Sequence, residues 1–182
     1  MLGDIVTAPR GSDWLCRKLL GWCEMRPEEE QSQRGVPANL DASPGCEFCR
    51  QSGGEVLWRD EKCRVVLVAD PDYHGFCRVI WNAHVKEMTD LAPDEQQHCM
   101  HVVLSVEQVL RRVLKPDKIN LASFGNMTPH LHWHVIPRFE YDAHFPQTIW
   151  SDRQRSAPRA PAEETGLQLR EMLATVLARN YP

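Results

Sequence analysis

The chain has 182 residues, with 21 Lys+Arg against 25 Asp+Glu, for a net charge of −4. At 42% hydrophobic and 25% charged residues it reads as one ordinary soluble domain, which excludes wholesale disorder. The acidic balance argues against a nucleic-acid polymer as partner. No run approaches ~18 apolar residues and the start, Met1-Leu2-Gly3-Asp4, does not read as a secretory signal, so no membrane partner is expected. Seven cysteines, an odd number, point to a reducing compartment, and a cytoplasmic location is expected.

Three stretches follow one another. Residues 1–44 read as an extension, largely flexible. Trp14 to Leu20 could make one short helix, and residues 26–44, with three consecutive Glu and several Pro, have the composition of a linker. Residues 45–150 hold the strong patterns. Short β-rich runs at 55–60 and 63–69 flank a tight turn at Glu61-Lys62, and 77–81 is a third strand. Pro93 opens a long helix, with Asp94 and Glu95 favourable in its first turn. Cys99, Val103, Val106, Leu110 and Val113 give that helix an apolar face, and Lys115-Pro116-Asp117 ends it. Strands at 119–124 and 131–136 follow. Residues 151–182 are a link and a C-terminal helix, where Leu167, Leu169, Met172, Leu173, Val176 and Leu177 recur at helical spacing. Without a regular βαβ alternation, the order predicts an α+β domain: an antiparallel five-stranded sheet with one long helix and a C-terminal helix.

The segment from His130 to Pro137 carries the chemistry. Side chains alternate along a strand, so His130, His132 and His134 share one face, each ~6.6 Å from the next. Leu131, Trp133 and Val135 face the other way. A row of imidazoles is a poor core. It can bind metal, bind phosphate, or supply a nucleophile with helpers.

The pattern resembles the histidine triad (HIT) superfamily, whose signature is His-φ-His-φ-His-φ-φ with φ apolar. Leu131, Trp133, Val135 and Ile136 fill the φ positions. Gly125-Asn126-Met127-Thr128-Pro129 resembles the family's phosphate loop, and Val79 to His84 its strand followed by Pro-x-x-His. Asn82 and Ala83 replace the usual Pro-x. The resemblance covers roughly residues 45–150. It implies that His132 attacks the α-phosphorus of a nucleotide and becomes a nucleotidyl-histidine, with His134 and His130 assisting. Asn120, Gly125, Asn126, Met127 and Thr128 would contact substrate. The small-molecule substrates implied are dinucleoside polyphosphates or nucleoside phosphoramidates. In many members a Gly-His pair supplies a histidine behind the nucleophile. Here that pair is Gly75-Phe76, preceded by His74, so either a backbone carbonyl orients His132 or His74 substitutes.

Cys46-Glu47-Phe48-Cys49 with His84 and His130 would complete a closed Cys₂His₂ zinc site. In the branch with an N-terminal Cys-x-x-Cys, those four positions hold structural zinc. The alternatives are a redox pair or two unpaired thiols. The resemblance also implies a homodimer through residues 93–114 and 119–124, with Met100, Val102 and Val109 expected to be exposed in a single chain. Of the remaining candidates, Arg138 is open between a phosphate contact and a surface ion pair. Trp150 and residues 144–146 could close the pocket, and His98 and His101 read as solvated. Two other functions stay open: a metallohydrolase using the histidine row itself, and a non-catalytic nucleotide-binding module.

Overall fold

The computed structural model describes Ser43 and residues 45–156 and 163–180. The expectations for the extension, including the helix near Trp14, lie outside the described residues. A single helical turn, α1 (Glu47–Arg50), leads into a five-stranded antiparallel sheet. The strands are β1 (Glu55–Arg59), β2 (Cys63–Leu67), β3 (Cys77–Trp81), β4 (Lys118–Ala122) and β5 (His132–Arg138), in the spatial order β1-β2-β3-β5-β4. Helix α2 (Pro93–Leu114) joins β3 to β4, and α3 (Glu163–Asn180) follows β5. No helix among the described residues is long and apolar enough to cross a membrane.

Local chemistry explains the boundaries. The β1–β2 turn forms because Asp60 Oδ1 accepts the backbone N–H groups of Lys62 and Cys63, at 2.9 and 2.7 Å, the side-chain turn that Asp favours. Helix α2 begins with Pro93 in its first turn, and Glu95 Oε2 accepts the Ala92 N–H at 3.3 Å. It ends where Lys115 takes a left-handed conformation, φ 51°, ahead of a proline that cannot continue it.

Both long helices cover one face of the sheet. Val65, Val79 and Val135 pack there with Val103, Val106 and Leu110 of α2 and Leu169 and Leu173 of α3. Helix α3 also lies against α2, and the buried stripe of α2 is wider than the Cys99–Val113 line. Val102 and Val109, expected to be exposed in a single chain, are fully buried in this core. Leu167 is exposed and lies off the buried stripe of α3.

The opposite face carries Arg64, Arg78, His132 and His134 among the apolar Val66 and Ile80, and Cys46 and Phe48 pack over those two. Beyond β5, Arg138 and Asp142 form a buried two-pronged ion pair at 2.7 and 3.0 Å. Arg138 also donates to the Gln147 carbonyl at 2.8 Å. Of the two roles open for Arg138, neither holds: it is an interior clamp on the loop that follows β5. His98 is likewise not solvated, for its Nε2 lies 2.8 Å from Asp60 Oδ2.

Candidate active site and metal centre

Strand alternation delivers the histidine row as expected, but the three rings divide between two places. His130 lies just before β5 and is 1% exposed. Its Nε2–H donates to the Trp81 carbonyl at 2.6 Å, so the lone pair is on Nδ1. That Nδ1 lies 3.4 Å from Cys46 Sγ, 3.6 Å from Cys49 Sγ and 3.3 Å from His84 Nδ1. His84 Nδ1 is 3.3 Å from Cys49 Sγ.

All four donor atoms fall within 4.8 Å of one another. A tetrahedral zinc ion with ordinary bond lengths requires edges of about 3.3 Å between two nitrogens and about 3.5 Å between nitrogen and sulfur. The observed spacings meet that requirement, and the donor set is that of a closed structural site. The Trp81 carbonyl fixes the His130 ring as an outer partner of a metal ligand would. Burial pushes the Cys49 thiol up, and the nearby Arg64 cation works in the opposite direction.

Arg64 is a residue that the sequence reading passed over, because it sits in an otherwise apolar strand. It is 6% exposed. Its Nη2 donates to the carbonyls of Phe48 and Gln51 at 2.7 and 3.3 Å, and its Nε to Ser52 at 3.0 Å. Its Nη1 donates to Asn82 Oδ1 at 3.1 Å. One side chain thus ties the segment after Cys46 to the segment before His84. Counted back from His84, the proline of Pro-x-x-His falls at Trp81, so Asn82 stands at an x position, where its side chain accepts this bond.

His132 and His134 lie on the face opposite the helices, beside this cluster. The His132 Nδ1–H donates to the His130 carbonyl at 2.6 Å. That bond leaves Nε2 with the lone pair, and it answers what orients His132. His74 is elsewhere, with its Nε2 2.7 Å from the Thr165 hydroxyl. Phe76 packs against His134 instead, ring centroids 5.6 Å apart. Burial, then the neighbouring Arg78 charge, lowers the His132 pKa, against the pull of the His130 carbonyl. His132 is therefore neutral near pH 7.

His134 is enclosed by Phe76, Phe124 and Trp150, and its Nδ1 is buried without a partner. Burial pushes its pKa down to about 3, helped by His132 and Arg78. An unfolded chain would protonate this imidazole near 6.5. Between pH 6.5 and 3 the unfolded state alone binds the proton, so stability is fully present above 6.5 and falls as the pH drops. Chemical denaturation at pH 7.5 and 5.0 is expected to show a smaller acid loss for His134→Gln than for the wild type. An identical loss would contradict the burial of a neutral imidazole.

A cavity of about 530 Å³ opens over His132 and His134. Phe48, Arg78, Phe124 and Trp150 line it, and Asn126, Met127 and Thr128 supply the loop side. Gly125 leads into that loop. Asn120 is not brought to this cavity: its Oδ1 accepts from Arg138 Nη1 at 2.7 Å, and it lines a separate groove along β4.

The profile of the HIT domain family matches residues 50–141. The chain belongs to the HIT family. The matched stretch holds the histidine row and His84, while Cys46 and Cys49 lie just ahead of it. Among curated HIT relatives, the chain is 26% identical over 109 residues to an asymmetrical bis(5'-nucleosyl)-tetraphosphatase of Schizosaccharomyces pombe, covering 57% of this chain and 60% of the relative. It is 27% identical over 106 residues to an adenylylsulfatase of Arabidopsis thaliana, 53% of this chain and 54% of the relative. It is 29% identical over 118 residues to an AP-4-A phosphorylase of Mycobacterium tuberculosis, 59% and 60% respectively. The chain thus spans little more than half the length of these relatives. Solved HIT structures share its fold. A histidine triad protein from Bradyrhizobium japonicum has TM-score 0.56 at 25% identity, over 68% of this chain and 90% of that one. A Zn-bound histidine triad family protein from Mycobacterium smegmatis has TM-score 0.55 at 27% identity, over 74% and 97%.

Proposed function

We propose that this HIT protein is a nucleotidyl hydrolase that cleaves dinucleoside polyphosphates or nucleoside phosphoramidates at the α-phosphate. The observation that carries the reading is the His132–His130 carbonyl bond of 2.6 Å, which leaves a neutral imidazole nitrogen free for attack beside the cavity. Nε2 of His132 bonds to the α-phosphorus, and the bond from phosphorus to the leaving oxygen or nitrogen breaks with its electron pair. A phosphoramidate nitrogen must also gain a proton as it leaves, taken from water at the cavity, whereas a polyphosphate can leave as an anion. The imidazole becomes cationic in the intermediate, and the His130 carbonyl accepts from its Nδ1–H. Water then attacks phosphorus, the nitrogen–phosphorus bond breaks, and nucleoside monophosphate and a proton leave. Asn126 and the backbone N–H groups of residues 125–128 are suited to the non-bridging oxygens, where charge shifts most in the transition state. His134 is within reach to assist on the same face.

Three relatives named for nucleosyl-tetraphosphate, AP-4-A or adenylyl-sulfate chemistry support this class of substrate. Cys46, Cys49, His84 and His130 would hold zinc, which when bound supplies a cross-link between the Cys-x-x-Cys segment and the start of β5 rather than a reacting group. The metallohydrolase alternative needs the row to act as one ligand set. Here His130 turns to the thiols and His132 Nδ1 to a carbonyl, which disfavours it. Pairing of two chains also belongs to this reading. β4 is a sheet edge, which needs cover, and Leu104, Leu121 and Phe124 are exposed on or near it and α2.

Turnover of diadenosine tetraphosphate and an adenosine phosphoramidate in ¹⁸O-water tests the function. One ¹⁸O atom in the released AMP is expected. Label found only in the other product, or no product from either compound, would overturn the reading.

A further inference from the structure

Arg78 of β3 has no place in the mechanism so far. It stands opposite His134 in the β3–β5 register, so the two side chains rise from one face of the sheet within contact range. Its other neighbours on that face, Val66 and Ile80, are apolar and fully buried. The guanidinium carbon lies 5.7 Å from the Phe48 ring centre and 5.6 Å from that of Phe76.

Only part of its donor fork is used. Nη1 donates to the Gly53 carbonyl at 3.2 Å. Nε is buried with no acceptor. Among the described residues no carboxylate forms an ion pair with it. Glu47, on the same cavity wall, and Asp70 are the acids whose fields reach it. A guanidinium cannot shed its charge by losing a proton, and a charge placed in an apolar setting is costly unless paired. The two histidines beside it on β5 bring no negative charge in either protonation state. Arg78 also lines the cavity above them, where its planar fork suits phosphate oxygens.

We propose that Arg78 binds an anionic phosphoryl oxygen of the substrate in the His132 cavity. The proposal rests on the nucleotide reading above and adds a substrate-binding residue to it. The guanidinium supplies a fixed positive charge on the cavity wall, and its aromatic neighbours Phe48 and Phe76 flank the fork. This dependence on anionic charge favours phosphate over an uncharged ribose or base as the contacted group.

The test is calorimetric titration of the full chain with AMP, adenosine and inorganic pyrophosphate. Wild type is compared with Arg78→Met, Arg78→Gln, which can still donate to Gly53, and Arg78→Lys. Expected is a tenfold or greater loss of affinity for AMP and pyrophosphate in the Met and Gln variants, with adenosine affinity unchanged and partial recovery in the Lys variant. Thermal unfolding alongside separates this from misfolding, and the Gln variant decides the matter where the Met variant does not fold. Unchanged AMP and pyrophosphate binding, or wild type that binds neither anion, would overturn the proposal. So would an equal loss for AMP and adenosine, which would move the contact to ribose or base. Failure of the nucleotide reading looks different: wild type then releases no AMP from any substrate, while pyrophosphate binding still judges Arg78.

Discussion

Replacing His132 with alanine is expected to reduce turnover by on the order of 10⁴-fold or more, the scale of losing a covalent nucleophile. The fold should survive, because the ring lies on the face opposite the helices and its one hydrogen bond is local, to the His130 carbonyl. The cavity retains Asn126, Thr128 and Arg78, so nucleotide binding should fall far less than the rate. Steady-state kinetics with nucleotide binding on the same preparation checks this. A variant that keeps wild-type turnover would remove His132 from the mechanism.

Loss of one thiol ligand is expected to act on stability first. Purified protein should carry zinc, and Cys46→Ser or Cys49→Ser should lose it. A metal held at 1,000 times its Kd contributes about 4 kcal/mol, roughly 8–16 °C in Tm for a domain of this size. His130 links the two sites through its carbonyl, so activity should decline by a smaller factor than in His132→Ala. Metal analysis with thermal unfolding measures both effects. Zinc-free wild-type protein with the same Tm as the serine variants would reject the site. Loss of all chemistry in a well-folded serine variant would favour a catalytic metal.

The elements that were legible in the sequence had strong local causes. Pro93 and Lys115-Pro116-Asp117 bounded α2, and Glu61-Lys62 marked the β1–β2 turn that Asp60 closes. Alternation along β5 put His132 and His134 on one face, while the Cys-x-x-Cys spacing and His84 pointed to the convergence that the structure shows. Val102 and Val109 extend the stripe of α2 at three- and four-residue steps from Cys99 and Val106, and the single chain buries them with it. What escaped depended on tertiary partners. Arg64 and Arg78 sit in strands that read as core. Their purposes emerge only when the Cys46–Ser52 segment folds over β2 and β3. An arginine inside a short apolar strand was the available signal. Asn120 matched by position along β4, but the use of its carbonyl by Arg138 depends on the loop after β5, which local sequence does not fix. His98 was read as solvated for the same reason: its partner Asp60 is on a distant turn.

The most direct measurement of the central claim is mass spectrometry of wild-type protein mixed with diadenosine tetraphosphate or an adenosine phosphoramidate and quenched within one turnover. The account predicts a protein heavier by one adenylyl group, with fragmentation placing the added mass on His132, and no adduct in His132→Ala. Turnover at the wild-type rate with no adduct at any quench time, or an adduct that persists in His132→Ala, would contradict it.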